Sequence, residues 1–380
     1  MTGPRSLHVI SSLCLNSGGP TQSVAGLCRA LNDLDSPAEI ATVRAPGEDA
    51  LRPTGTPVHI FTSQAPARLR RSPGLAEFLQ GEARRFDLIH VHGLWEWPGR
   101  YARLAASKSS RPLVVSPRGM LEPWALSQNA QSKRLAMILW ERANLNFASM
   151  LHATSPAEAI QFGRLGLQNP VAIIPNGVDL PAPEATQPAA PPTILFLSRF
   201  HPKKGADLLL KAWAGIPDHR GWRLVLAGPD EIGYRSTLEA LSNELGIHER
   251  VVFLGPQFGD DKWALLRQSS LLVLPSLSEN FGNVVLEALS QGVPVITTHG
   301  TPWAEVVARR CGWWVEPTTH GIQAAMMEAL RLPRHDLLEM GHRGRDWASA
   351  FTWETIAQSM IEAYSGLNHQ TLFETQRSSQ

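Results

Sequence analysis

Short, almost wholly apolar runs recur along the chain, and each ends at glycine, proline or a small polar residue before a stretch of helical period begins. In the first half these runs are Leu7 to Leu13, Phe86 to Trp95, Pro112 to Ser116, Met150 to Thr154 and Val171 to Ile174. In the second half they are Ile194 to Leu197, Trp222 to Pro229, Val251 to Gln257, Leu271 to Leu274, Val293 to Thr297 and Trp313 to Val315. Runs without polar alternation predict strands covered on both faces, which is the condition of a parallel sheet flanked by helices. The intervening stretches supply those helices. Val24, Leu27 and Leu31 mark one; Leu135 to Phe147 another; Leu208, Leu209 and Trp213 a third; Val284, Val285, Ala288 and Leu289 a fourth; residues 351–364 a last one. At 380 residues the chain is too long for one ordinary domain. The proline-rich PAPEATQPAAPP at 181–192 reads as a stiff linker, with domains at 1–180 and 193–350 and a frayed tail at 367–380.

The most informative stretch is SLSENFGNVVLEAL, Ser276 to Leu289. Leu271 to Leu274 is the strand before it, Pro275 and Ser276 stop that strand, and helical periodicity starts after Asn280, Phe281, Gly282 and Asn283. A helix N-terminus at the end of a parallel strand presents amides to an anion such as a diphosphate. Glu279 before the helix and Glu287 inside it can accept hydrogen bonds from sugar hydroxyls on either side of a phosphate. Glutamate near a helix start is also an ordinary stabilising device, and spacing alone does not separate the two readings.

Other strand ends carry candidate chemistry. Gly18 and Gly19 follow the first strand and allow backbone to approach a phosphate, or simply make a turn. His90 and His92 alternate on the run Phe86 to Trp95 and share a face; His92, nearer the carboxyl end, is the better binding candidate, and core histidines are the bland alternative. Arg118 follows the next run, where ligands meet α/β sheets, and can grip a phosphate bidentately. Asn176 sits in the tight turn PNGVD. Arg199 and Lys204 follow the strand Ile194 to Leu197, placed to neutralise a departing diphosphate, and Gly228 opens the loop of the next strand. Ser155 with Glu158 reads as a capping box.

Charge narrows this picture. A net charge of +1 argues against strong whole-molecule attraction to nucleic acid. Residues 60–134 nevertheless hold 12 Lys and Arg against 5 Asp and Glu, an excess of 7, interleaved with Trp95, Trp97, Tyr101 and Trp124. Such a stretch suits an anionic membrane face or a lipid-pyrophosphate acceptor, and equally a solvated basic face over core tryptophans. Three scattered cysteines, Cys14, Cys28 and Cys311, have no metal spacing and read as reduced thiols in a cytoplasmic protein.

Taken in order, the glycine turn, PNGVD, Arg199 with Lys204 and Gly205, and Glu279 with Glu287 followed by SQGVPVITT resemble the motifs of retaining family-4 glycosyltransferases, of the type that builds bacterial surface polysaccharides. The resemblance spans most of the chain. It implies the GT-B fold: two Rossmann-like domains facing across a deep cleft, with the helix at 351–366 crossing back to the N-terminal one. It also implies metal-independent transfer of a hexose from a nucleotide diphosphate sugar to a glycan or polyprenyl-pyrophosphate-linked acceptor, on the cytoplasmic face of the inner membrane and with no cofactor. Arg199, Lys204 and Glu279 are then catalytic. Gly18, Gly19, Gly228, Asn280, Phe281, Gly282, Asn283 and Glu287 hold the donor, and His92, Arg118 and Asn176 line the acceptor side. Many members have histidine where this chain has Arg118. A nucleotide-sugar 2-epimerase of the same fold, or a binding protein without chemistry, are the competing readings. The sugar, base and oligomeric state stay open.

Overall fold

The computed structural model describes residues 2–14, 19–48, 50–180 and 191–377, with side chains up to residue 367. Gly18 and most of the 181–192 linker lie outside the described residues. The chain divides into two compact units, one of Met1–Gly177 with Trp353–Gln380 and one of Val178–Thr352.

The first unit is built on seven parallel strands: β1 (Ser6–Ile10), β2 (Ala38–Arg44), β3 (Val58–Thr62), β4 (Leu88–His92), β5 (Leu113–Ser116), β6 (Met150–Ala153) and β7 (Val171–Ile173). Their order is β3-β2-β1-β4-β5-β6-β7. The second unit has six: β8 (Thr193–Leu197), β9 (Arg223–Ala227), β10 (Val251–Leu254), β11 (Leu271–Leu274), β12 (Val295–Thr298) and β13 (Gly312–Val315), in the order β10-β9-β8-β11-β12-β13. Both sheets reverse direction of growth beside their first strand, between β1 and β4 and between β8 and β11. This is the Rossmann-like plan, and it opens a crevice at the carboxyl ends of those strands. The apolar runs are buried along their length, as β1, β4, β8 and β11 show.

Helices cover both faces of each sheet. In the first unit, the Gly19–Asp33 helix packs beside the terminal helix Trp353–Arg377, and Trp353, Ile356, Met360 and Tyr364 join Val24, Leu27 and Leu31 in one core cluster. That helix runs on through residues expected to fray, as far as Arg377. In the second unit, Leu209, Leu210 and Trp213 of the Ala206–Ala214 helix are buried against Ile194, Phe196 and Leu224 of the sheet. The expected helix at 135–147 is interrupted. It consists of Ala130–Ala136, a wide π-helical turn Met137–Glu141, and Arg142–Phe147.

Candidate functional site

In the second unit the reactive side chains come from the turns after β8 and β11, on either side of the switch point. The turn Pro202–Lys204 ends at Gly205, whose left-handed φ of +70° and close approach to Pro275 exclude a side chain: a Cβ would lie 2.2 Å from the Pro275 carbonyl oxygen. The Leu277 amide donates to the Lys203 carbonyl at 2.8 Å, stitching the two turns together. This brings Lys204 against Glu279 at 2.5 Å, with both side chains largely buried at 14% and 11% exposure. Ser276 Oγ donates to the same Glu279 oxygen at 2.8 Å. Burial raises the Glu279 carboxyl, but the charge and hydrogen bond of Lys204, with the Ser276 bond, outweigh it and hold the group below the usual carboxylate range.

Around this pair the backbone is fixed from several sides. The Glu279 amide donates to the Gly300 carbonyl at 2.7 Å. Gly282 is the left-handed residue (φ +78°) from which the Asn283–Ser290 helix starts. Phe281 is buried, its ring 5.0 Å from that of Trp303, whose indole N–H donates to the Phe281 carbonyl. Asn280 to Asn283 therefore form a firmly held helix entry. Glu287, within the helix, pairs with Lys262 at 2.9 Å. Lys262 has no place among the sequence motifs and lies on the Gly259–Gln268 helix, whose first turn carries Asp260 and Asp261. Gly228 has φ +153°, and a Cβ there would meet the Ser198 carbonyl oxygen at 1.9 Å, so it lets β9's loop close on the backbone before Arg199. Arg199 pairs with Glu231 at 3.1 Å on the surface, both about half exposed. Such a pair is worth under about 1 kcal/mol and is readily exchanged for a phosphate.

The first unit holds a different kind of site. Arg118 and Gly119 both adopt left-handed φ, +54° and +75°, just after β5. The Gly119 amide donates to Glu158 Oε1 at 2.7 Å, and the Thr154 amide and hydroxyl donate to Glu158 Oε2 at 2.8 and 3.1 Å. Ser155 caps its helix, while the Glu158 carboxylate clamps the Arg118–Gly119 turn. The guanidinium is buried. It donates to His92 Nδ1 from Nε (3.3 Å) and Nη2 (3.1 Å), to Asn176 Oδ1 (3.1 Å) and to Ser23 Oγ (3.4 Å), in the first turns of the Gly19–Asp33 helix. Among the described residues no carboxylate forms an ion pair with it. Burial brings its pKa down to about 10, partly offset by the more distant charge of Glu158. His92, Arg118 and Asn176, expected on one side of the acceptor, therefore converge. His92 is itself buried and supports Arg118 from behind.

Behind His92 the sheet core contains two directional hydrogen-bond chains. Arg118 can only donate, so His92 Nδ1 accepts and its proton sits on Nε2. That N–H donates to His8 Nδ1 at 2.9 Å, and His8 Nε2–H donates to Ser6 Oγ at 3.1 Å. The second chain is anchored at the Ile174 carbonyl, which accepts from His152 Nε2 at 2.8 Å. His152 Nδ1 therefore accepts from Ser116 Oγ–H (2.7 Å), Ser116 accepts from His90 Nε2–H (2.6 Å), and His90 Nδ1 accepts from the Tyr364 hydroxyl (2.6 Å). All four histidines are buried and neutral. Desolvation, reinforced by Arg118 and by neighbouring imidazoles, lowers His8 and His152 to about 3 and His90 and His92 well below the ordinary value. Ring nitrogens of His8, His90 and His92 lie within 4.8 Å of one another, but a cation could use them only by displacing these hydrogen bonds beside a buried guanidinium.

The basic stretch at 60–134 is dispersed by the fold. Arg70 is bidentate to Glu48, Arg85 pairs with Glu82, Arg118 is buried, and Arg71 and Arg100 each stand 4.8 Å from the centre of the Trp97 ring. No helix among the described residues is long and apolar enough to cross a membrane.

Comparison with known proteins adds to this geometry. Residues 18–177 match the family described as glycosyl transferase 4-like domain, and residues 183–347 match glycosyl transferases group 1. A D-inositol 3-phosphate glycosyltransferase of Nocardia farcinica is 30% identical over 318 residues, covering 77% of this chain and 70% of that protein. D-inositol 3-phosphate glycosyltransferase 2 of Catenulispora acidiphila is 30% identical over 390 residues, covering 92% and 90%. Among solved structures, Anabaena HepE in complex with UDP and glucose aligns with a TM-score of 0.77 at 23% identity, over 95% of this chain and 100% of that one, a likeness of GT-B fold.

Proposed function

Because the chain belongs to the group 1 glycosyltransferases, we propose that it moves a hexose from a nucleotide diphosphate sugar to a hydroxyl of a phosphate-bearing acceptor, with retention at the anomeric carbon and without a metal. The observation that carries this reading is the Lys204–Glu279 pair held between the ends of β8 and β11, with Glu287–Lys262 one helix away. The cation and the acid are both supplied at a strand-end crevice with helix amides beside them.

On this reading the donor diphosphate takes the place of the carboxylates as partner for Lys204 and Arg199, and the Phe281–Asn283 entry adds backbone donors. These groups stabilise charge as the sugar–phosphate bond breaks, the role a metal plays elsewhere. Glu279, freed from Lys204, accepts from sugar hydroxyls, and Glu287 accepts from the ribose. The acceptor hydroxyl attacks from the face the diphosphate leaves and gives its proton to the departing phosphate oxygen. Gly19 begins a helix whose first-turn amides suit an anion. His92 and Asn176 hold Arg118, which has no acidic ion-pair partner among the described residues, ready for phosphate on the acceptor. A polyprenyl-pyrophosphate-linked glycan, in the building of exopolysaccharide, capsule or O-antigen, meets that requirement. A soluble inositol phosphate of the kind the curated relatives are named for meets it as well.

Purified protein mixed with UDP-, GDP-, ADP- and dTDP-sugars and either acceptor class is expected to release free nucleoside diphosphate only when an acceptor is present. NMR of the product is expected to show the donor's own anomeric configuration. An isomerised nucleotide sugar formed without acceptor would instead identify the 2-epimerase reading, and tight donor binding with no product under any pairing the non-catalytic one.

A further inference from the structure

The segment 123–147 lies outside the site just described and carries an unexplained apolar face. Leu135 is 57% exposed, Ile138 74% and Leu139 62%, three large aliphatic side chains at i, i+3 and i+4 of one helical stretch. Scattered exposed leucines need no explanation, but three on one stripe do. The π-helical turn Met137–Glu141 falls within this stripe.

Within 123–147 the exposed charges have a single sign. Glu141 is the segment's only acid, and it is turned inward: Oε2 accepts from the Trp95 amide at 2.7 Å, Oε1 accepts from Asn144 at 3.3 Å, and the residue is 2% exposed. Arg134 and Arg142 flank the stripe on the surface. Lys133 lies beside them, bonded to the Ala125 carbonyl and standing 5.8 Å over the Trp95 ring.

We propose that this helix docks the protein on an anionic phospholipid surface, with Leu135, Ile138 and Leu139 in the acyl boundary and Arg134 and Arg142 among the headgroups. Burial of aliphatic side chains and attraction to acidic lipids then act on the same face, as in helices that lie in the plane of a membrane. A second copy of the chain is a poorer occupant. A two-fold contact through this face sets arginines against arginines, with no exposed acid in the segment to offset them.

Flotation of the full-length protein with vesicles tests this without requiring turnover, so its outcome is separate from that of the transferase reading. The protein is expected to float with phosphatidylcholine–phosphatidylglycerol vesicles, not with phosphatidylcholine alone, and to be released as salt is raised. Ile138→Ser/Leu139→Ser is expected to weaken that binding at least about tenfold at an unchanged melting temperature, since both residues are exposed. Arg134→Glu/Arg142→Glu, tested alongside, is expected to abolish the preference for anionic vesicles. Absence of binding, equal binding to both vesicle types, or full binding by the serine variant would overturn the proposal. So would a wild-type dimer in sedimentation that the serine variant dissolves.

Discussion

The two units place charge at their switch points by opposite means. In the second, each key cation already has an acid: Lys204 with Glu279, Lys262 with Glu287, Arg199 with Glu231. In the first, the partners of Arg118 among the described residues are neutral, and behind it four histidines are kept uncharged by burial. A self-paired site is stable when empty and must exchange partners to bind. A site with a lone buried cation is less comfortable when empty and gains from any anion that reaches it. On the proposed reading, donor and acceptor are met by two different electrostatic strategies.

Acidification gives the largest expected contrast. Each of the four histidines has a folded-state pKa below its unfolded one, so the unfolded chain takes up protons first as pH falls below about 6.5. The folded first unit loses up to about 1.4 kcal/mol per histidine for each pH unit from there down toward the folded values, and gains nothing from the same groups above that range. The Glu279 carboxyl, shifted downward, keeps its full contribution at every pH above the ordinary carboxylate range and loses it only as pH falls from that range through its depressed folded value. Hydrogen exchange followed by mass spectrometry between neutral pH and pH about 4.5 should therefore show β1, β4 and β6 losing protection well before β8 and β11. Equal loss in both sheets would break the comparison.

The next effect separates paired from unpaired cations. Lys204→Met leaves Glu279 buried without its partner, and is expected to cost about 3 kcal/mol in denaturant unfolding and at least about a hundredfold in kcat. Lys204→Met/Glu279→Leu is expected to recover most of the stability and none of the activity, because it removes the stranded charge but not the need for it. The smallest expected effect is that of Arg118→Met. It forfeits hydrogen bonds to His92 and Asn176 but also removes an uncompensated buried charge, so stability changes by no more than about 1 kcal/mol. Its mark is kinetic: KM for a phosphate-bearing acceptor rises while KM for the donor stays fixed. A stability loss as large as that of Lys204→Met would show that Arg118 is a structural cation after all.

The sheets were legible in the sequence because buried parallel strands leave nearly pure apolar runs, and the second unit's site was legible because its residues sit in two local turns. The first unit's site was only partly so. His92, Arg118 and Asn176 each stood at a strand end, but nothing local says that one imidazole nitrogen serves as acceptor for Arg118. A signal was present all the same. SLH, LIH and MLH each place a histidine third in an apolar strand, and β1 pairs β4 with His8 opposite His90. β1 and β4 lie side by side, so their paired histidines predict touching imidazoles, while His152 of β6 stands one strand further on, beyond β5. Lys262 and Tyr364 gave no such signal, because their partners, Glu287 and His90, are reached only through tertiary packing. The 135–147 helix was seen but not its interruption, since a π-helical turn leaves the apolar periodicity almost intact over so short a run.

The bond from Tyr364 to His90 has a consequence for how the protein is made. Every strand of the first sheet has left the ribosome by Ile173, yet the hydroxyl that fixes the His90 ring is translated almost two hundred residues later. A nascent chain must hold that sheet through the whole synthesis of the second one with a gap in its polar interior. The Trp353–Arg377 helix is therefore a closing part, and a chain cut before Tyr364 lacks the hydroxyl that completes its earliest-made sheet.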